Sequence, residues 1–377
     1  MSKRELPEDV QVEILSGLPV KSLVRFRCVC KSWYTLTSNP DFIAKHLTSH
    51  NPHRGTILHR HDWDGLGQPR VSMLSDETLE LSGDVDPLQL FQNKVAGGVR
   101  VFGPCNGILC FSGILCKDRE VQFDYEQIVL WNPATRESKM LPPIQRQPDL
   151  PLSVSNVGLG FDPNTNDYKV VRVQNFDSRS EVAVYSLSAD SWGVIHSSAN
   201  PSYKFRLSRF PSYLNGVHHW WAAEKNDISH PFLLSFDMSN EVFQEVLPPP
   251  TEESFFQEIA VTHNCVALLL QCGNVFEKSL DIWTLSEFCG ERCWIKIVTI
   301  EHILPLLWDL TQLRDDGLIV LSNQDGGLEL YDPRTQQLRD LGIGRESGDG
   351  FCQLVSYTES LVFLSGSRNV IEQQDNP

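Results

Sequence analysis

No stretch of this 377-residue chain is long and apolar enough to cross a bilayer as a helix; the longest apolar run, Cys265 to Leu270, falls far short of the roughly 20 residues required. The N-terminal residues turn acidic at Glu5, Glu8 and Asp9, where a secretory signal would need an apolar centre. No Asn-x-Ser/Thr acceptor with a permitted middle residue occurs. A cytosolic or nuclear protein without a membrane partner is the expectation, and its ten cysteines are expected to be thiols. Positive charge is also scarce. With 48 Asp and Glu against 32 Lys and Arg, the chain stands at −16, which repels a phosphate backbone and argues against nucleic acid as a partner.

Catalytic and metal motifs are equally lacking. There is no Cys-x-x-Cys pair, no Gly-rich loop ending in Gly-Lys-Ser/Thr and no Gly-x-Ser-x-Gly elbow. Cys289 and Cys293 have no second pair nearby, and neither His59 and His61 nor His218 and His219 have a third ligand at useful spacing. Glu252-Glu253 and Asp315-Asp316 lie in Pro-rich or Gly-flanked stretches and read as solvated turns, not as paired glycosidase carboxylates. The expectation is a protein with no catalytic residues, no metal and no cofactor. What the chain does have is 41% hydrophobic and 21% charged residues, enough apolar surface for a sizeable core.

The charge changes sharply near residue 50. Up to that point Lys3, Arg4, Lys21, Arg25, Arg27, Lys31 and Lys45 outnumber Glu5, Glu8, Asp9, Glu13 and Asp41, so the acidity belongs to the remainder. Two units follow. In the first, Pro7 with Glu8 and Asp9 opens a helix carrying Val10, Ile14, Leu15 and Leu18, which Gly17 and Pro19 end. A second helix carries Leu23 and Phe26, a third Trp33 and Leu36, and a fourth, after Asn39-Pro40, Phe42, Ile43 and Leu47. So short a segment cannot bury its apolar faces alone. Either the following domain or another protein must cover them.

Leu6-Pro7-Glu8-Asp9, Ile14-Leu15, Leu18-Pro19-Val20-Lys21-Ser22-Leu23, Arg25-Phe26-Arg27 and Val29-Cys30-Lys31-Ser32-Trp33 together resemble an F-box, in order and spacing. The resemblance implies docking on the Skp-type adaptor of an SCF, cullin-RING ubiquitin ligase. Leu6, Pro7, Ile14, Leu15, Leu18, Pro19, Leu23, Phe26, Val29 and Trp33 would supply the apolar contact, although any one of them could equally hold the helices together.

From residue 54 onward, short alternating or β-branched runs are divided by turns, an all-β texture. Asn132-Pro133-Ala134-Thr135, Asp162-Pro163-Asn164-Thr165 and Asp332-Pro333-Arg334-Thr335 each follow an aromatic residue and read as type I hairpin ends. An aromatic residue, then a turn, then a strand recurs at Trp131, Tyr185, Phe236, Trp283 and Tyr331, a period of about 50 residues that suits kelch-like propeller blades. Five blades are visible. A sixth forms if 56–59 and 71–74 complete a sheet with 354–363, which closes the ring from both ends. A large β-sandwich or barrel is the alternative, and the double glycines at 97–98 and 326–327 do not recur in every blade.

Gly103-Pro104-Cys105-Asn106-Gly107-Ile108-Leu109-Cys110, the Trp131 to Arg136 turn, Leu141-Pro142-Pro143 and Gly158 to Pro163 through Asp167 to Val171 resemble the F-box-associated interaction domain of plant F-box proteins, including the S-locus type. The organisation expected is therefore α+β and multidomain: a small helical F-box over 1–50, a six-bladed all-β propeller over 51–366, and a disordered tail over 367–377. The resemblance implies a non-catalytic receptor whose propeller binds a target protein for ubiquitination. Trp63, Phe176, Arg206, Arg209, Trp220, Trp221 and Trp308 are candidate target contacts, each with a core role as the competing reading. Two other functions stay open: a propeller hydrolase or oxidase with a helical lid, and an F-box scaffold that promotes no degradation.

Overall fold

A computed structural model describes residues 6–48, 54–62, 70–91, 95, 99–116, 123–144, 155–175, 180–195, 203–205, 210, 212–250, 256–262, 264–273, 278–288, 291–301, 310–322, 327–343, 350–364 and 368–369. Among these, four helices precede a set of sheets: α1 (Glu8–Ser16), α2 (Val20–Phe26), α3 (Lys31–Thr37) and α4 (Pro40–Leu47). Pro7 and Pro19 take the cap positions of α1 and α2, one residue outside the helix, and their carbonyls accept the first helical amides. At α4 the Asn39 side chain accepts from the Asp41 amide at 2.8 Å, while Asp41 in the first turn and Lys45 in the last complement the helix dipole.

The remainder is a six-bladed propeller of antiparallel sheets. Blade 2 is built from Arg100–Cys105, Ile108–Cys116, Phe123–Asn132 and Glu137–Met140, and blade 3 from Asn156–Asp162, Asp167–Asn175, Ser180–Ser186 and Ser191–Ile195. Blade 4 holds Tyr203–Phe205, Tyr213–Leu214, Val217–Glu224, Asp227–Asp237 and Val242–Val246. Blade 5 holds Phe256–Thr262, Cys265–Gly273, Lys278–Phe288 and Glu291–Ile300, and blade 6 Leu310–Leu313, Ile319–Ser322, Leu328–Asp332 and Gln337–Asp340. Blade 1 takes Arg54–Asp62, Arg70–Ser75 and Leu81–Val85 from the start of the domain and Gly350–Thr358 from its end, with Leu58 opposite Leu354. The ring is thus closed by both ends, as expected from the sequence.

The second strands explain why the blades stack. Ile108 to Phe111, Val170 to Val173, Trp220 to Ala223 and Val266 to Leu270 are buried without alternation, since a neighbouring blade covers each face. The periodic aromatics all fall on third strands, opposite outer-strand partners: Trp131 with Ser138, Tyr185 with Trp192, Phe236 with Phe243, Trp283 with Lys296 and Tyr331 with Leu338. Four hairpin turns, those after Trp131, Phe161, Phe236 and Tyr331, share one device. Asn132, Asp162, Asp237 and Asp332 accept from the amide two residues on, and Arg136, Asn166, Glu241 and Gln336 then take positive φ to rejoin the next strand.

Within 367–377, the segment expected to be disordered, Arg368–Asn369 pairs with Ser138 and Glu137 as an outer strand of blade 2, and the other residues of that segment lie outside the described residues.

The helices pack on the propeller face that carries the short turns. Leu15, Val20, Leu23 and Phe42 form a cluster with Leu361 from the C-terminal segment, and Ala134 of the blade 2 turn lies against it. The strand ends on either side of 86–99, 141–155, 247–255, 301–309 and 341–349 lie on the opposite face.

Candidate functional site

The helical module has two apolar faces with opposite fates. One is buried against the propeller: Leu15 is 4% exposed and Val20 and Leu23 are fully buried. The other meets solvent. Leu6, Val10 and Ile14, spaced four residues apart along and just before α1, are 57%, 41% and 54% exposed, and Val29 and Tyr34 reach 65% and 56%. An apolar surface left open on so small a unit is a candidate partner site.

Half-buried side chains hold this surface in shape. Trp33 packs its ring on Phe26 at 5.2 Å, and its indole N–H donates to Gln11 Oε1 at 3.3 Å, tying α3 to α1. The Gln11 amide in turn donates to the Leu6 carbonyl at 2.7 Å, which fixes the chain ahead of α1. Lys45 pairs with Glu13 at 2.5 Å across α4 and α1. Exposed Lys21, Arg25 and Lys31 place cations on α2 and α3.

The expected adaptor contacts therefore divide. Leu6, Pro7, Ile14 and Val29 are exposed; Leu18, Pro19, Phe26 and Trp33 are half-buried. Leu15 and Leu23 are corrected to core residues, because Leu361 and Phe42 already cover them. Val10 and Tyr34 belong to the exposed set although they were absent from the expected one. The four-residue spacing of Leu6, Val10 and Ile14 was a sufficient signal for Val10, whereas Tyr34 carried no comparable pattern.

On the propeller, Trp63, Phe176, Arg206, Arg209 and Trp308 lie outside the described residues. Trp220 and Trp221 are corrected to core: they are 4% and 1% exposed, on a second strand walled by blades 3 and 5. Trp220 lies tilted against His218 at 4.4 Å and meets Phe205 edge-on, and Trp221 packs with Leu233, Ile259 and Leu268.

The remaining polar groups are structural in their contacts. His218 contacts Ser212 Oγ and the Leu159 carbonyl, and His219 contacts Ser235 Oγ. Burial lowers their pKa values to about 4 and about 3, so both are neutral at physiological pH. Lys169 bridges blades 3 and 4 by pairing with Asp162 at 3.0 Å and Glu241 at 2.9 Å. Asp315 accepts from Thr262, while Asp316 caps the Leu318 amide and pairs with Arg314, so this acidic pair belongs to a turn. Among the described residues, no group of three or more His, Cys, Asp or Glu is placed to hold a metal ion.

Comparison with known proteins agrees with this division. The F-box domain family matches residues 4–45, and the F-box associated beta propeller domain family matches residues 70–363. An F-box/kelch-repeat protein of Arabidopsis thaliana is 28% identical over 346 residues, covering 88% of this chain and 88% of the relative. F-box protein CPR1 of the same plant is 29% identical over 377 residues, covering 90% of this chain and 84% of the relative. With helices and propeller both matched in place, the chain belongs to the family of F-box proteins that carry an F-box-associated β-propeller.

Proposed function

We propose that this protein is the substrate-recognition subunit of an SCF-type E3 ubiquitin ligase, with the F-box docked on a Skp-type adaptor and the propeller holding the target protein. The observation that carries this reading is the solvent-facing apolar set of Leu6, Val10, Ile14, Val29 and Tyr34 on a module whose other face is already covered. Exposed Lys21, Arg25 and Lys31 suit an adaptor surface with apolar pockets and an acidic rim. The role is non-catalytic. A receptor needs no nucleophile, since it acts by holding a target lysine near charged ubiquitin, which raises the effective concentration of the reacting groups.

The helices occupy the face with short turns, so the opposite face is left for the target. A cytosolic or nuclear location completes the proposal. The test is reconstitution of the full-length chain with a purified Skp-type adaptor. A stable stoichiometric complex that Ile14→Asp weakens supports the reading, and a folded wild-type chain that fails to bind the adaptor overturns it.

A further inference from the structure

After the strand that closes blade 1 ends at Thr358, the chain runs from Glu359 to Leu364 without regular structure, between the helices and blade 2. Its side chains and backbone alternate in what they touch. On the helical side, Glu359 Oε2 accepts from the Val20 amide at 3.2 Å, at the first residue of α2. Leu361 is fully buried in the helical core, and Phe363 lies beneath the Arg27 guanidinium at 3.6 Å. On the propeller side, Asn132 Nδ2 donates to the carbonyls of Ser360 at 3.0 Å and Val362 at 2.7 Å. The Val362 and Leu364 side chains join the core between blades 2 and 3, and the Leu364 amide donates to Glu137 Oε2 at 3.0 Å.

We infer that residues 359–364 are a strap that positions the F-box: odd-numbered residues complete the helical core, even-numbered residues anchor it to blade 2, and the extended chain between them has no slack. The period of two is that of an extended segment gripped on both sides. Because the strap directly follows the strand that closes the ring, a complete F-box core forms only on a chain whose propeller has closed. Leu361 and Phe363 are positioning residues here, and they contact no adaptor surface. The coupling of strap to helices does not require the adaptor reading, but its consequence for ligase assembly rests on it.

Gly107 gives access to the strap from behind. It has φ +78°, and a Cβ there would stand 2.4 Å from Ser360 Cβ and 2.6 Å from the Thr358 carbonyl. Gly107→Ala touches no residue of the helices, yet it should displace their anchor.

The experiment is hydrogen exchange on the full-length chain, paired with adaptor binding. Leu361→Ala should speed exchange across 8–47 roughly tenfold or more while leaving 156–195 and 256–300 at the wild-type rate. Phe363→Ala and Gly107→Ala should give the same regional pattern, and Leu361→Met should restore most of the protection. Adaptor affinity should fall about tenfold in step with the lost protection. Wild-type protection of the helices in both Leu361→Ala and Phe363→Ala overturns the inference, as does equal loss of protection over helices and distant blades in both. If the helices loosen as described but even the wild-type chain does not bind the adaptor, the strap stands and the adaptor reading falls.

Discussion

The guanidinium of Arg27, the residue that caps the C-terminus of α2, lies 3.6 Å over the ring of Phe363, near the other end of the chain. Tyr34 faces the same guanidinium at 4.9 Å, Arg27 Nε donates to Thr37 Oγ1 at 3.3 Å, and a terminal N–H reaches Ser38 Oγ. Burial pulls the guanidinium pKa down, with Tyr34 and Glu137 opposing, but the group stays charged. The Arg27→Ala variant should lose about 1–2 kcal/mol of stability in chemical denaturation. Arg27→Lys should recover less than half of it, because an ammonium cannot stack flat between two rings while serving both hydroxyls. Full recovery by lysine would show that charge alone matters at this position.

Exposed and buried residues of the F-box should separate cleanly on substitution. Ile14→Asp and Val29→Asp leave the melting temperature near wild type and weaken adaptor binding by about 10- to 100-fold, since each loses the burial of a large apolar side chain in the complex. Leu23→Asp places a carboxylate in a fully buried site against Leu361 and releases the helices from the propeller. Calorimetric titration alongside thermal unfolding distinguishes the two classes. A stable Leu23→Asp chain that merely fails to bind would return Leu23 to the docking surface.

Gly158 and Gly160 are close-approach positions between blades 3 and 4. A Cβ on Gly158 would meet the rings of His218 and Trp220 at 2.7 Å, and one on Gly160 would meet Met238 Cε at 2.5 Å. Gly158→Ala should therefore cost about 1–3 kcal/mol, the usual penalty of overpacking against rigid rings. Gly160→Ala should cost less, because its two nearest atoms belong to the Met238 side chain, which can yield, and the Tyr213 ring stands farther off at 2.9 Å. Denaturant midpoints at constant slope measure both, and the reverse ranking would locate the tight contact elsewhere.

Acid should destabilise the propeller in two stages. His218 and His219 have folded pKa values of about 4 and about 3, below the ordinary 6.5. Their contribution is complete above pH 6.5 and declines as pH falls toward 4, by about 1.4 kcal/mol per pH unit for each group that the unfolded chain protonates and the folded chain does not. Asp162 acts lower on the scale. Burial alone would raise its pKa, but hydrogen bonds from Ser239, Thr165, Lys169 and the Asn164 amide outweigh that and hold it well below the usual 3.8. Its contribution is present above pH 3.8 and is lost as pH falls further. Stability measured by urea titration from pH 8 to 3 should flatten between 6.5 and 4 when both histidines are replaced by glutamine. Asp162→Asn should flatten only the region below 4.

The sequence was most legible where local chemistry and long-range packing ask for the same residues. Asn132, Asp162 and Asp332 each begin a turn that needs an Asx acceptor, and an aromatic recurs on the third strand of blades 2 to 6, where a large side chain fills the pairing with the outer strand. Trp220 and Trp221 were ambiguous for the opposite reason. The sequence left a target contact and a core role both open for each, and only the stacking of blades decides for the core, because a second propeller strand has no solvent face.

The sequence by itself determined the two-part organisation: four short capped helices, a repeat of about 50 residues, and acidity confined to the part after residue 50. Only the tertiary structure decided which apolar face of the helices is free. Leu15 and Ile14 are neighbours on α1, equally apolar and equally suited to a contact, and helical period separates their directions without saying which one meets the propeller. That choice was made by Leu361, more than 300 residues away, whose arrival depends on ring closure and leaves no trace in the local pattern of either segment.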